Sequence, residues 1–321
     1  MPTVSLGLAS RYSAVEQTQP MNNDDKEEIQ NIRETALNYL HGKAERFRTH
    51  RISKRLDELQ PKPITIEWLE AAILVRVAKR TQPTRTVNLM GMLTRKRAEQ
   101  EEVQKFKDFE DQIAIYLHPY HLTHHAYTKA RFSEADNTLA LNHIGQLLER
   151  LEDMGYQAFL NSGTLLGVVR EGRLIEHDDD IDLAIILKAR TGTEAAREWV
   201  ALLTQLKNIG LLGEARSGQN QIYKLNSVGE FEVDLFPCWI DGDKVFVYPH
   251  TFGDLERSQL LPLQKDAASG YPIPADPNSM LEINYGANWR ISDPYFIFPW
   301  PQQKRLFQAF IADTEVSVDN I

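Results

Sequence analysis

The run His177-Asp178-Asp179-Asp180-Ile181-Asp182-Leu183 constrains this chain more than any other stretch. Aspartates crowded this closely on an extended strand repel one another severely unless something cationic sits among them. Strand alternation places Asp178, Asp180 and Asp182 on one face and turns Ile181 and Leu183 inward. Two carboxylates at i, i+2 can both reach a hard divalent cation, which favours oxygen ligands. Two other readings stay open: a solvated acidic loop leading into an apolar strand, and a calcium loop. The apolar flanks weigh against full solvation, and an EF-hand loop would need a glycine at its sixth position and a distal glutamate that are missing here.

Two further features point toward a metal-dependent site. Asn161-Ser162-Gly163-Thr164 lies one turn upstream, and Gly163 lets the backbone approach a phosphate at a helix N-terminus. Glycine at a helix start also serves capping alone. Phe231-Glu232-Val233-Asp234-Leu235-Phe236 places a carboxylate in an apolar strand, where it needs a cation or strong donors. A salt bridge from Asp234 to Lys224 on the neighbouring strand is the competing explanation.

Around these motifs, strands and helices alternate. Leu141, Ile144, Leu148 and Leu151, beside Leu147 and Met154, form an apolar stripe at helical spacing that ends near Gly155. A short buried strand follows over 157–161, then a brief helix from Thr164 to Arg170 and a turn at Glu171-Gly172. A strand over 181–187, a helix over about 193–209 and strands over about 220–226 and 230–240 come next. Asp241-Gly242-Asp243 signals a hairpin, and Asp276-Pro277 reads as an N-cap with proline at the first helical position. Upstream, helical stretches are expected over about 24–59 and 64–80, separated by Pro61-Lys62-Pro63, and over about 95–116. The expected organisation is a disordered N-terminus over 1–23, a helical region of unassigned role over 24–130 and a catalytic domain over 131–321. The fold class is α+β, a mixed sheet flanked by helices with an N-terminal helical region.

Charge narrows the function classes. The chain has 321 residues and a net charge of −9, with 22 basic and 20 acidic side chains over residues 1–150 against 14 and 25 in the remainder. An acidic body argues against nucleic acid as a partner and suits a site that collects divalent cations. The single cysteine, Cys238, excludes a disulfide framework and a multi-thiolate zinc site. Residues 42–97 are basic, with 14 basic and 5 acidic side chains. Within them Trp68, Leu69, Ala72, Ile73 and Val77 share a helix with Arg76, Lys79 and Arg80. That helix either lies on an anionic membrane surface, as a peripheral contact, or packs on the body with its lysines and arginines solvated, which is the preferred reading. The first twenty residues lack the basic start and apolar run of a secretory signal, and Ala71–Val75 is too short to span a bilayer. The expected location is therefore cytoplasmic, with peripheral attachment at the inner membrane face as an option. His118, His121, His124 and His125 invite a metal reading, but no neighbouring Cys, Asp or Glu completes a set, so the loop is read as solvated or structural.

A glycine at a helix start, an Asp-x-Asp on a strand and a third acid on a later strand resemble the nucleotidyltransferase superfamily. In full, Gly163-Thr164-Leu165-Leu166-Gly167-Val168-Val169-Arg170-Glu171-Gly172, Ile175 and Asp178 to Asp182 resemble the LicD family. That family includes bacterial phosphocholine transferases and resembles fukutin and fukutin-related protein, which transfer ribitol phosphate. The likeness is specific over about 140–187 and looser through Val233-Asp234-Leu235-Phe236-Pro237 and Tyr285-Gly286-Ala287-Asn288-Trp289. Glu176-His177 stand where the family usually has Pro-Trp, and Val168 where alanine is more common.

The resemblance implies transfer of a phospho-alcohol (phosphocholine, ribitol phosphate or glycerol phosphate) from a CDP-linked alcohol donor to a glycan or lipid-linked glycan, in cell-surface polysaccharide synthesis. It implies Mg2+ or Mn2+ on Asp180 and Asp182, with Asp234 completing the site and helping to deprotonate the acceptor. Asp178 would ligate a second ion or accept a proton, and Gly163 and Thr164 would donate to phosphate oxygens. Arg170 and Lys224 are candidates for charge on the leaving group, although Arg170 could equally brace the acidic run. Trp289 or Tyr285 could stack on the base, a core role being preferred. The rival readings are a nucleotidyltransferase that moves an NMP onto a small molecule or protein, and an inactive scaffold, against which the intact set of acids argues.

Overall fold

The computed structural model describes residues 21–47, 49–129, 134–175, 178, 180–212, 221–228 and 231–318. Residues 1–20 of the expected disordered N-terminus, and Glu176, His177 and Asp179, lie outside the described residues. The chain divides into two compact units, one within Met1–Gln82 and Leu89–Tyr116, the other within Pro83–Asn88 and Leu117–Ile321.

The first unit is helical: α1 (Asn23–Leu40), α2 (Thr49–Glu58), α3 (Ile66–Lys79), most of α4 (Pro83–Glu99) and nearly all of α5 (Val103–Leu117). The single stretch expected over 24–59 is two helices. The backbone N–H groups of His41 and Gly42 bond back to Leu37 and Tyr39, and Gly42 takes φ +69°, which a glycine adopts without steric cost. The charged helix expected over 95–116 is likewise interrupted between α4 and α5, where Glu101 has φ +58°. In α3 every residue from Trp68 to Val77 is buried. Arg76, 1% exposed, donates to Asp57, Gln82 and the Ala72 carbonyl. The helix is packed within the first unit and has no free apolar stripe to lay on a membrane, but Arg76, expected in solvent, is buried among its partners. No helix among the described residues is long and apolar enough to cross one.

The second unit is α+β. Its short hairpin, β1 (His121–Leu122) and β2 (Tyr127–Thr128), precedes α6 (Glu134–Asp153), β3 (Gln157–Leu160), α7 (Ser162–Glu171) and β4 (Asp180–Ile186). Then come α8 (Gly192–Asn208), β5 (Tyr223–Val228), β6 (Phe231–Asp241), β7 (Lys244–Val247), β8 (Thr251–Glu256), α9 (Arg257–Leu260) and α10 (Pro277–Tyr285). The sheet is mixed. Its order is β3-β4-β6-β7-β8, with β4 and β6 parallel, the other pairs antiparallel, and β5 bonded to the first part of β6.

Both faces of the central strands are covered, and their apolar face fills the core. Ile181 and Leu183 on β4 and Val233 and Leu235 on β6 are fully buried, each worth roughly 2 kcal/mol of transfer free energy. Against the same core lie Ile144, Leu147 and Leu151 of α6 and Ala195, Ala196, Trp199, Leu202 and Leu206 of α8. The Trp199 ring stacks on Tyr223 with centroids 4.0 Å apart, and the Tyr223 hydroxyl donates to the Trp199 carbonyl. Asp276 caps α10 by accepting from the Ser279 N–H, as its sequence predicts.

Candidate active site

The ladder between β4 and β6 sets the site. Asp180 lies opposite Glu232 and Asp182 opposite Asp234, while Lys224 on β5 lies opposite Asp234 from the other side. Alternation therefore sends all five side chains to the face opposite Ile181, Leu183, Val233 and Leu235. One carboxylate oxygen from each of Asp180, Asp182 and Asp234 lies within 4.8 Å of the others. Asp182 and Asp234 are 6% and 7% exposed, so these charges meet away from bulk water.

The turn from β3 into α7 is built onto Asp182. Ser162 takes φ +42°, uncommon for a residue with a side chain, at the first position of α7. Its Oγ lies 3.0 Å from His250 Nε2. The Gly163 N–H donates to Asp182 Oδ2 at 2.9 Å, and the Asp182 N–H donates to Thr164 Oγ1 at 2.8 Å. The two residues expected to hold phosphate are thus engaged with Asp182, Gly163 with its carboxylate and Thr164 with its backbone N–H. A β-carbon on Gly163 would stand 2.5 Å from Asp178 Oδ2 and 3.3 Å from Asp182 Oδ2, so glycine here makes room for two acids. Asp178 precedes the strand, and its carboxylate still comes to the same place.

Electrostatics follow from this crowding. Burial, then the charges of Asp180 and Asp234, push the Asp182 carboxyl well above its ordinary range. Burial raises Asp234 to about 6 against the lowering charge of Lys224. Burial would also raise Asp180, but hydrogen bonding and charge from His125, with help from Asp178 and Lys224, hold it below its ordinary value. Lys224 Nζ lies 2.5 Å from Asp234 Oδ1 and 2.9 Å from Glu232 Oε2. Burial acts to lower this ammonium, and the two acids keep it above its usual value. The salt bridge read as a competing explanation for Asp234 is therefore formed. One ammonium does not balance the acids gathered here, and an all-carboxylate donor set suits a hard divalent cation rather than a soft metal.

Arg170 donates to the Trp289 carbonyl and pairs with Glu171, a bracing arrangement that ties α7 to the chain after α10. Trp289 is buried beneath Arg290, and the Tyr285 ring rests on Phe296 with centroids 5.1 Å apart. Burial, then the charges of Asp182, Asp178 and Asp180, push the Tyr285 hydroxyl up, which places that ring beside the acids. Sequence reasoning set aside one residue that reaches them. His125 Nε2 lies 3.1 Å from Asp180 Oδ2. Nothing local signals this, because the partner lies on a different element far along the chain.

A helix N-terminus locked to an Asp-x-Asp strand, with a third acid in register on its parallel neighbour, defines a nucleotidyltransferase-type domain. Residues 155–278 match the family described as LicD/FKTN/FKRP, nucleotidyltransferase domain. The chain carries a LicD-family domain, and that family's general activity is phospho-alcohol transfer. No curated protein matches the chain.

Proposed function

We propose that the second unit moves a phospho-alcohol from a CDP-activated donor to a hydroxyl of a glycan or lipid-linked glycan, releasing CMP. The observation that carries this reading is the gathering of Asp180, Asp182 and Asp234 within 4.8 Å inside the family-matched span. In the reaction the acceptor oxygen forms a bond to the phosphorus that bears the alcohol, and the bond from that phosphorus to CMP breaks. The hydroxyl proton passes to a carboxylate. Asp234 is the carboxylate proposed for that task, directly or through the ion that the cluster would hold.

Asp180, Asp182 and Asp234 would hold Mg2+ or Mn2+. Bound there, the ion supplies charge neutralisation for the diphosphate and the transferred group. Gly163 and Thr164 fix Asp182, and the Thr164 hydroxyl retains a proton it can donate toward a phosphate oxygen. Lys224 holds Asp234 and places a positive charge beside the reacting phosphate, while Arg170 braces the α7 end. The site is proposed to act in cell-surface polysaccharide synthesis on the cytoplasmic side.

Incubation with CDP-choline, CDP-ribitol or CDP-glycerol, Mg2+ and a glycan acceptor tests the assignment. CMP release with labelled glycan supports it, and pyrophosphate release from a nucleoside triphosphate with no CMP from any CDP-alcohol overturns it in favour of NMP transfer. A thermal-shift series with the three donors identifies the alcohol, because ligand bound only by the folded chain raises its melting temperature.

A further inference from the structure

We propose that His125 is a positioning residue of the acidic site, holding the Asp180 carboxylate in the orientation that cation binding requires. The inference rests on the cation-binding reading of Asp180, Asp182 and Asp234. His125 lies outside residues 155–278, so the family-matched span does not contain it.

The geometry is specific. His125 Nε2 stands 3.1 Å from Asp180 Oδ2. A carboxylate has about four lone-pair positions, so the His125 contact at Oδ2 does not exhaust them. Asp180 sits at the first position of β4, with acids on several sides. Without an anchor its carboxylate would rotate away from Asp182 and Asp234 to relieve repulsion. Partners of metal-binding carboxylates set ligand orientation, and losing one typically costs about tenfold to a hundredfold in metal affinity.

The loop that presents His125 is built to hold it. The turn between β1 and β2 closes through the Thr123 N–H, which donates to the Ala126 carbonyl at 2.9 Å. Thr123 Oγ1 accepts the N–H groups of His125 at 3.2 Å and Ala126 at 3.0 Å. Both shoulders of the turn are tied within the same unit. The Thr84 hydroxyl donates to the His124 carbonyl at 2.7 Å, and the Tyr127 hydroxyl lies 3.2 Å from Thr86 Oγ1. A solvated loop needs none of this. An imidazole that must meet one carboxylate oxygen does, since the ordering entropy is lost on folding rather than on ligand binding.

The test is Mn2+ titration of the full chain by calorimetry and by the electron paramagnetic resonance signal of free Mn2+. Wild type, His125→Ala, His125→Gln and Asp182→Asn are compared, each checked for folding by circular dichroism. His125→Ala is expected to weaken Mn2+ binding by about tenfold to a hundredfold. His125→Gln, whose amide can donate to the same oxygen, should recover most of that loss. Unchanged affinity in His125→Ala overturns the inference, as does an equal loss in both His125 variants, which would show that the ring itself is needed. If Mn2+ binding is abolished by Asp182→Asn but untouched by His125→Ala, only this inference fails. If wild type binds no Mn2+, the cation reading of the site fails with it.

Discussion

Each unit of this molecule buries a carboxylate, and the two are treated in opposite ways. In the helical unit Glu70 accepts from Arg33 at 2.6 Å and from Arg97 at 2.5 Å, and Arg97 also meets Glu102. In the sheet unit Asp182 accepts one backbone N–H and faces Asp180 and Asp234, with Lys224 shared between Asp234 and Glu232. The first cluster is neutralised from within, as a structural ion network must be. The second gathers more acids than Lys224 and His125 offset among the described residues, the condition of a site awaiting a cationic ligand. Several basic side chains of residues 42–97 are likewise paired within that unit: Arg55 meets Glu28, Arg76 meets Asp57, and Arg97 meets Glu70.

The contrast can be broken first at its centre. Asp182→Asn should lower turnover by at least about a hundredfold, the equivalent of several kcal/mol of lost charge stabilisation, while the cation-free protein melts no lower than wild type. A large loss of cation-free stability would mean that Asp182 is structural. Glu70→Ala should do the reverse. It strands two guanidinium groups and costs about 3 kcal/mol in chemical denaturation, and the surviving folded protein should keep its turnover.

The glycines of α7 separate the same two effects at smaller scale. Gly167→Ala drives a methyl against the Arg173 carbonyl and the Ile175 N–H, at 2.7 and 2.9 Å, and should destabilise by roughly 1–3 kcal/mol. Gly163→Ala meets only the mobile end of Asp178 at that range, so it should cost activity, by about tenfold on the scale of a displaced site group, with little change in melting temperature.

The smallest effect near neutral pH belongs to His250, held between Ser162, Phe236 and Phe298. Burial lowers its pKa to about 3. A histidine depressed in the folded state takes up its proton later than in the unfolded chain. The stability it permits is complete above about pH 6.5 and is lost as the pH falls toward 3, by up to about 1.4 kcal/mol per pH unit. Denaturation midpoints of wild type and His250→Phe between pH 7 and 4 check this, with a flatter profile expected for the variant.

The β4 strand, α7 and the apolar faces of β6 were legible in the sequence because their information is local: alternation, a glycine at a helix start, an N-cap. The α+β class and the LicD resemblance followed from the same short stretches. What escaped depends on contacts between distant segments. In the sequence His125 stands out only as one of four clustered histidines without an acidic neighbour, and its partner Asp180 lies far along the chain. The engagement of Gly163 and Thr164 with Asp182 is visible only when two elements meet, so these residues read as phosphate donors from sequence alone. The division of the first helical stretch turns on Gly42, whose positive φ no apolar periodicity announces.

The register that sets Asp182 beside Asp234 also has a kinetic consequence. These residues face each other across parallel strands, and parallel strands are joined only after the chain between them, with α8 and β5, has been laid down. Pairing of that kind closes a long loop before it gains contacts, and it is slow for that reason. The acids therefore meet late, when the topology of the sheet is complete. Competence to bind Mn2+, followed in time after dilution from denaturant, should rise after the helical signal and together with burial of Trp199, so that the ion reports on finished chain topology rather than on early collapse.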